Sequence, residues 1–406
     1  MDNGGIIMSN SLERYRERAS SWLAEHAPLY ASQARHGLSF KEDLALARAW
    51  QALKAEHGYA CITLPTEFGG AGGSELEKVI FSEEEMRYDL PLVYFSISLN
   101  NPLPIFLRYA PSYWTERLAR PTVRGELIWC QLFSEPSAGS DLASLRLKAV
   151  AVEGGWRLSG QKVWTSWAQI ADWGVIVART DPSLPKHAGL TYFFVDMKSP
   201  GVSVVPIRRL GEESDLNEVF FDDVFVPDDQ RLGEINGGFK VAVETLMIER
   251  YSVTDESGYA PSLEKFIALA EQSKINGKRA LDDGEIRTTI ADVFVQRQGL
   301  RAIHRQALEA FAKGQVPGPE GAMRKLLLGR TRQSLSRMAT NIQGPNSLVL
   351  HENSQAKTDF TSAWLDPSLR IAGGTDELLL NTLAERVLGL PQDSRPDKGQ
   401  PFNATK

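Results

Sequence analysis

A stretch with strand texture, set between two stretches with helical texture, is the feature that most restricts how this chain can fold. From Leu12 to about Gly125 apolar residues recur at helical spacing, as in Trp22 and Leu23 and again in Leu44, Ala47, Trp50 and Leu53. From Ile128 to Leu232 the pattern changes to short runs rich in Val, Phe, Tyr and Trp: LKAVAVEGGWRLSG, ADWGVIVART, LTYFFVDM, GVSVVPI and NEVFFDDVFVP. Such residues fit a pleated, half-buried surface, and Glu153-Gly154-Gly155 has the chemistry of a hairpin turn. After Gly237 the helical period returns and persists to about Leu388, in segments long enough for a four-helix bundle. The expected fold is α+β. An N-terminal α-helical domain occupies 1–127, a middle antiparallel β domain 128–232, a C-terminal four-helix bundle 233–395 and a flexible tail 396–406.

Composition removes several function classes. The 45 basic against 51 acidic side chains give a net charge of −6, so no basic stripe is available to offset a phosphate backbone, and nucleic acid is not expected as a partner. Cys61, Cys130 and the six scattered histidines show neither a disulfide framework nor metal-ligand spacing, so no metal is expected. There is no apolar run of about 18 residues that could span a bilayer. The opening MDNGGIIMSNSLERYRERA turns polar after a short apolar patch, unlike a targeting peptide. A soluble, cytoplasmic protein is the expectation.

Two segments carry candidate chemistry. In Leu132–Asp141, reading LFSEPSAGSD, Ser134, Gly139 and Ser140 offer hydroxyl and backbone N–H donors to a polar heterocycle or a phosphate. Composition alone favours an ordinary surface turn there. In GQKVWTS, residues 160–166, the Trp164 ring stands beside the hydroxyls of Thr165 and Ser166. A flat ring system needs that combination of stacking and hydrogen bonding, although a lone tryptophan is more often core.

Together SEPSAGSD and GQKVWTS resemble the flavin-binding signatures of the acyl-CoA dehydrogenase family. NEVFFDDVFVP followed by GEINGGFKVA resembles the end of that family's β domain and the start of its C-terminal helices. IAGGTDELLLNTLAERVLGLP resembles its near-terminal signature, so the likeness runs in order along nearly the whole chain. The resemblance implies an FAD enzyme of lipid degradation that removes the α-proton of an acyl-CoA thioester and passes a β-hydride to flavin N5. It implies Gln131, Phe133 and Ser134 on the flavin pyrimidine side, and Trp164, Thr165 and Ser166 near the ring. Ser140 lines the channel where the flavin and acyl-CoA phosphates come close, contacting both cofactor and substrate, and Gly139 joins the cofactor contacts. Gln343 and Gly344 reach the FAD of a neighbouring subunit, and Thr375 and Glu377 lie on the adenosine side. The implied partners are the acyl-CoA substrate, an electron-transfer flavoprotein as acceptor, and further subunits in a homodimer, homotetramer or hetero-oligomer.

Two departures from the family pattern stand out. Many members carry their catalytic base as the Glu of a Tyr-Glu-Gly-Thr sequence, where this chain has Ala372-Gly373-Gly374-Thr375. Other members take the base from an earlier helix as Glu-Arg, and this chain has Glu249-Arg250 at that place. Ala242, Leu246, Glu249 and Val253 form one stripe of a helix, so Glu249 interrupts an apolar face. Desolvation there raises a carboxylate's pKa and strengthens it as a base. The alternative is a buried structural pair with Arg250. Glu377 and Asp376 are rival carboxylates, with Asp376 expected to point outward. Arg250, Gly373 and Gly374 join Ser140 as candidate substrate contacts, and the glycines open space for a branched, cyclic or bulky acyl group. The second departure is the missing Arg-x-x-Phe-Gly segment for the FAD pyrophosphate, with Arg287 or Lys278 as substitutes. Two other functions compete with the dehydrogenase. One is a catalytically incomplete partner subunit of a heteromeric enzyme, and the other is a flavin monooxygenase or oxidase on the same fold.

Overall fold

The computed structural model describes residues 10–210, 215–252, 263–312, 321–348, 355–395 and 398–404. The chain divides into two compact units: Ile7–Arg209 with Glu213–Ser252 and Asp393–Lys406, and Val253–Gln392 with Met1–Ile6 and Leu210–Glu212.

In the first unit, helices α1 (Asn10–His26), α2 (Ser32–Arg35), α3 (Phe40–Glu56), α4 (Glu75–Glu85), α5 (Val93–Asn100), α6 (Pro102–Tyr109) and α7 (Ser112–Val123) precede the sheet. Capping boxes start α3 and α4, where Ser39 pairs with Glu42 and Ser74 with Glu77. Each pair satisfies two backbone or side-chain donors that a helix start leaves open. Leu23, Trp50, Ile80 and Phe81 form the core of the first helices.

Seven strands follow: β1 (Trp129–Leu132), β2 (Lys148–Val152), β3 (Gly155–Ser166), β4 (Trp173–Arg179), β5 (Leu190–Asp196), β6 (Val202–Pro206) and β7 (Leu216–Pro227). They pair in the order β1-β4-β2-β3-β7-β6, with β5 also on β4. The hairpin turn expected at Glu153-Gly154-Gly155 joins β2 to β3, with Glu153 and Gly154 as its two loop residues and Gly155 already in the strand. The sheet is not wholly antiparallel. β1 runs parallel to β4, and β2 meets β4 in parallel at Lys148 and Arg179. The β2–β3 hairpin supplies the long crossover that parallel neighbours need. β4 and β5 are buried on both faces, which explains their unbroken apolar runs. Ile176, Ala178, Phe193 and Val195 face a core shared with Leu158, Val219 and Val224. Val175, Val177, Tyr192 and Phe194 face a second core with Leu103, Phe106 and Leu118 of the helices.

Helix α8 (Gly238–Ser252) belongs to this unit and packs Val241 and Ala242 into that second core. The tail, expected to be flexible, is docked over Pro401–Ala404. Phe402 N–H donates to Leu184 O at 2.9 Å, Asn403 N–H donates to Pro182 O at 3.0 Å, and Phe402 is only 9% exposed. An aromatic side chain in an otherwise polar tail gives it something to bury.

The second unit holds α9 (Leu263–Gln272), α10 (Gly284–Ala312), α11 (Gly321–Gln343), α12 (Gln355–Leu365), α13 (Ser368–Ile371) and α14 (Asp376–Thr382). Phe266, Val293, Leu335, Met338, Ile342 and Phe360 form its core, bringing together α9, α10, α11 and α12. Among the described residues no helix is long and apolar enough to cross a membrane.

Candidate functional site

The two signature segments are stitched together by one buried ion pair. Glu135 opens a tight turn in which its N–H donates to Ala138 O at 2.9 Å and Ala138 N–H returns a bond at 3.0 Å. Its carboxylate turns inward and accepts from Arg146 N at 2.6 Å, Leu147 N at 2.9 Å and Lys162 Nζ at 2.9 Å. Lys162, fully buried on β3, also donates to Phe133 O at 3.0 Å. Burial pulls the Lys162 ammonium below its ordinary range, and the Glu135 charge opposes that pull. Val163 N–H donates to Ser134 O at 2.9 Å, so the backbone of the first segment lies directly against the second. Upstream, Gln131 on β1 accepts from Asn101 Nδ2 at 2.9 Å.

The register of β3 against β7 shifts between Lys162 and Thr165, marking a bulge. Within it Trp164 adopts φ +60° and is 59% exposed. A lone tryptophan is expected in the core, but the bulge turns this ring outward and leaves Thr165 buried in its place. Asn217 Nδ2 on β7 holds Thr165 O at 3.0 Å, and Trp167, at φ +59°, donates its N–H to Asp215 O at 2.7 Å. The Trp167 ring lies 4.8 Å from Tyr94 on α5, which ties the end of the bulge to the helices. Thr165 Oγ1 is buried with no hydrogen-bond partner among the described residues. Ser134 and Ser166 are half-buried, Gly139 and Ser140 are exposed, and a Cβ placed on Gly139 would meet nothing within 4 Å.

Helix α8 is anchored beside these segments. Tyr192 OH on β5 lies 3.1 Å from Thr245 Oγ1, and the Tyr192 ring stands edge-on to Phe133 with centroids 5.8 Å apart. Asn236, at φ +64°, sets the start of the helix: its N–H donates to Thr191 Oγ1 at 2.9 Å, and its Oδ1 accepts from Thr180 Oγ1 at 2.6 Å. Tyr109 OH donates to Glu244 at 2.8 Å. Glu249 and Arg250 lie on the α8 backbone, and their side chains fall outside the described residues.

In the second unit, Gln343 ends α11, and Gly344 takes φ +56°. Both amide atoms of Gln343 are buried with no hydrogen-bond partner among the described residues. Gly373 and Gly374 take φ +67° and +101°, and Lys325 Nζ donates to Gly374 O. Thr375 caps α14 by accepting from Leu378 N, and Glu377 is exposed. Asp376 does not point outward as expected. It is 4% exposed, and its Oδ2 meets Arg370 at 2.6 Å and Arg330 at 3.3 Å. Burial works against the charge, but the two guanidiniums outweigh it and hold the Asp376 carboxyl below its ordinary value. Lys278 and Arg287 are both exposed.

Models described as the N-terminal, middle and C-terminal domains of acyl-CoA dehydrogenase match residues 9–126, 130–224 and 236–388. The acyl-CoA dehydrogenase IpdE1 of Mycobacterium tuberculosis is 33% identical over 397 residues, covering 95% of this chain and 99% of IpdE1. The chain belongs to the acyl-CoA dehydrogenase family. The acyl-CoA dehydrogenase FadE34 of the same organism is 39% identical over 347 residues, 84% of this chain, and that match spans 46% of FadE34. Among solved structures, the Tcur3481-Tcur3483 steroid ACAD superposes with a TM-score of 0.80 at 23% identity, covering 95% of this chain and 99% of that one. The ChsE4-ChsE5 complex from Mycobacterium tuberculosis gives 0.78 at 24%, covering 96% and 100%. At these identities the likeness shows a shared fold.

As an acyl-CoA dehydrogenase the protein is a flavoprotein oxidoreductase whose cofactor is FAD. The residues present fit that cofactor. The Thr165 hydroxyl is buried without a partner among the described residues, an outward aromatic ring stands next to it, and Gly139 leaves open space over the backbone. A buried unpaired hydroxyl is costly unless something accepts or donates to it. The linear motifs point to groups along these two segments but not to the buried pair that frames them. Glu135 and Lys162 were legible only as opposite charges inside two otherwise small or apolar motifs, and Asn217 and Tyr192 carried no local signal at all.

Proposed function

We propose that this enzyme dehydrogenates the Cα–Cβ bond of acyl-CoA thioesters bearing branched, cyclic or otherwise bulky acyl groups, with Glu249 removing the α-proton. The disposition of the carboxylates carries the reading. Gly373 and Gly374 bring no acid to the near-terminal loop, and Asp376 is engaged by Arg370 and Arg330. Glu249 is carried by α8, which reaches Phe133 of the first signature segment through Thr245 and Tyr192. Its helical stripe begins at Ala242, fully buried, and continues through Leu246, which packs on the same core. A carboxylate on such a stripe loses hydration, and a base of raised pKa is better matched to a weakly acidic α-carbon.

Bound FAD supplies the hydride acceptor. Trp164, Thr165, Ser166, Ser134, Gly139 and Gln131 would hold it, and the Glu135–Lys162 pair keeps those groups in one arrangement before substrate arrives, which lowers the cost of organising the site. Ser140 and Arg250 serve the acyl-CoA, and an electron-transfer flavoprotein takes up the electrons. A heteromeric subunit that completes a neighbour's site is the second reading, and the glycines at the usual base position favour it.

Anaerobic titration of the purified chain with linear, branched and cyclic acyl-CoAs tests the proposal. Bleaching of the oxidised flavin band by bulky thioesters, lost by several orders of magnitude in rate in Glu249→Gln with FAD retained, is the expected result. Near-normal bleaching in that variant would defeat the assignment of the base. A chain that holds no flavin when purified alone would favour the partner subunit, and a yellow chain that no thioester bleaches would favour a monooxygenase or oxidase.

A further inference from the structure

Arg179, at the end of β4, is 4% exposed, and its guanidinium donates to three backbone carbonyls: Ala143 at 2.6 Å, Leu145 at 3.3 Å and Lys186 at 2.8 Å. It therefore joins the loop that runs from Ser140 to Leu147 with the loop that runs from Thr180 to Gly189. Lys186 Nζ reinforces the junction by pairing with Asp141 at 2.9 Å. The far end of the first loop is the stretch whose amides, Arg146 and Leu147, bind Glu135. One face of this cation is closed by the chain's own C-terminus. The Phe402 ring lies 3.9 Å from Arg179 Cζ and 5.3 Å from Arg146 Cζ. The ring is delivered there by backbone bonds from Phe402 to Leu184 and from Asn403 to Pro182, and by a bridge between Pro185 and Pro401.

We propose that Pro401–Ala404 is a positioning strap, in which Phe402 seats on Arg179 and thereby fixes the loop that carries Ser140 toward the acyl-CoA. The physical basis is desolvation. A cation held against an aromatic face is attracted more strongly when water is excluded, and hydrogen bonds to a charged donor strengthen in the same low-dielectric setting. Without the ring, water reaches the guanidinium from that side and competes for its bonds to Ala143 and Leu145. The link to Ser140 rests on the function proposed above; the strap itself does not.

The test uses the full-length, FAD-loaded protein with Phe402→Ala, Phe402→Leu and Phe402→Tyr. Hydrogen exchange is read on peptides covering 141–147 and 183–188, and kcat and KM are measured separately for whichever thioester bleaches the parent. In Phe402→Ala and Phe402→Leu, amide protection in those two loops is expected to fall about thirtyfold, the loss of a desolvated cation–π contact. Phe402→Tyr should keep it. The thioester KM should rise severalfold with kcat at saturation little changed. Unchanged exchange in Phe402→Ala overturns the strap. Parent-like exchange in Phe402→Leu, which keeps the apolar bulk, overturns the role of the ring and leaves simple packing. Exchange that changes as expected in a protein whose flavin no thioester bleaches supports the strap and defeats the dehydrogenase reading instead.

Discussion

Replacing Lys162 by Met should separate the two signature segments more effectively than any change on their surfaces. The side chain is fully buried and supplies both the counter-charge of Glu135, at 2.9 Å, and a donor to Phe133 O, at 3.0 Å. Methionine fills a similar volume, so the loss is electrostatic and not a cavity. The Glu135 carboxylate keeps its bonds from Arg146 N and Leu147 N but loses its contacting counter-charge, leaving only the longer-range attraction of Arg179. Removing one member of a buried pair costs about 3–5 kcal/mol, against total stabilities of about 5–15 kcal/mol for a folded unit. In a unit of this size that is roughly a 10 °C fall in melting temperature. Urea unfolding followed by tryptophan fluorescence measures the stability loss, and flavin release followed by absorbance shows whether the FAD site loosens with it. The double variant Lys162→Met/Glu135→Gln removes the orphaned charge but keeps an acceptor for only one of the two amides, which bond different carboxylate oxygens, and should recover part of the loss. A Lys162→Met protein within about 1 kcal/mol of the parent, below the cost expected for an uncompensated buried charge, would refute this account of how the segments are held.

Two further predictions follow from the geometry. A Cβ on Gly238 would lie 2.5 Å from the backbone carbon of Thr191 and 2.6 Å from Tyr192 N, so Gly238→Ala must push the start of α8 off β5. It should cost about 1–3 kcal/mol and slow dehydrogenation through the misplaced helix, whereas Gly139→Ala, which meets nothing, should leave stability unchanged by the same unfolding assay. Asp376 has a folded-state pKa below that of the unfolded chain, because Arg370 and Arg330 outweigh its burial. The unfolded chain therefore takes up this proton first as pH falls. The ion pair's contribution is complete above the ordinary carboxylate pKa near 4 and is lost as pH drops through the lower folded value. Asp376→Asn should be less stable than the parent at pH 7, with the gap closing in acid, and a gap that is constant from pH 7 to pH 3 would contradict the pairing.

The parts of this protein that were legible in its sequence are those written locally. Helical and strand periodicities are fixed by neighbours a few residues apart, so the helix, sheet, helix order and a hairpin turn at Glu153-Gly154-Gly155 could be read directly. The flavin signatures are likewise contiguous runs, and they led to the family and to FAD. What the sequence left open depends on partners far along the chain. Trp164 points outward because β7 imposes a bulge on β3. Asp376 points inward because arginines from α11 and α13 meet it there. β1 lies parallel to β4 because a hairpin intervenes, and α8 packs on β5 although its periodicity matches that of the bundle helices. The tail is docked because Arg179 offers its one aromatic ring a buried cation. Which elements form, and which cofactor chemistry they serve, could be read from the linear chain, since backbone preference and contiguous motifs are short-range. The tertiary structure alone decided which charges are paired, which ring is exposed and which loops are braced, because burial and ion pairing act between residues that only folding brings together.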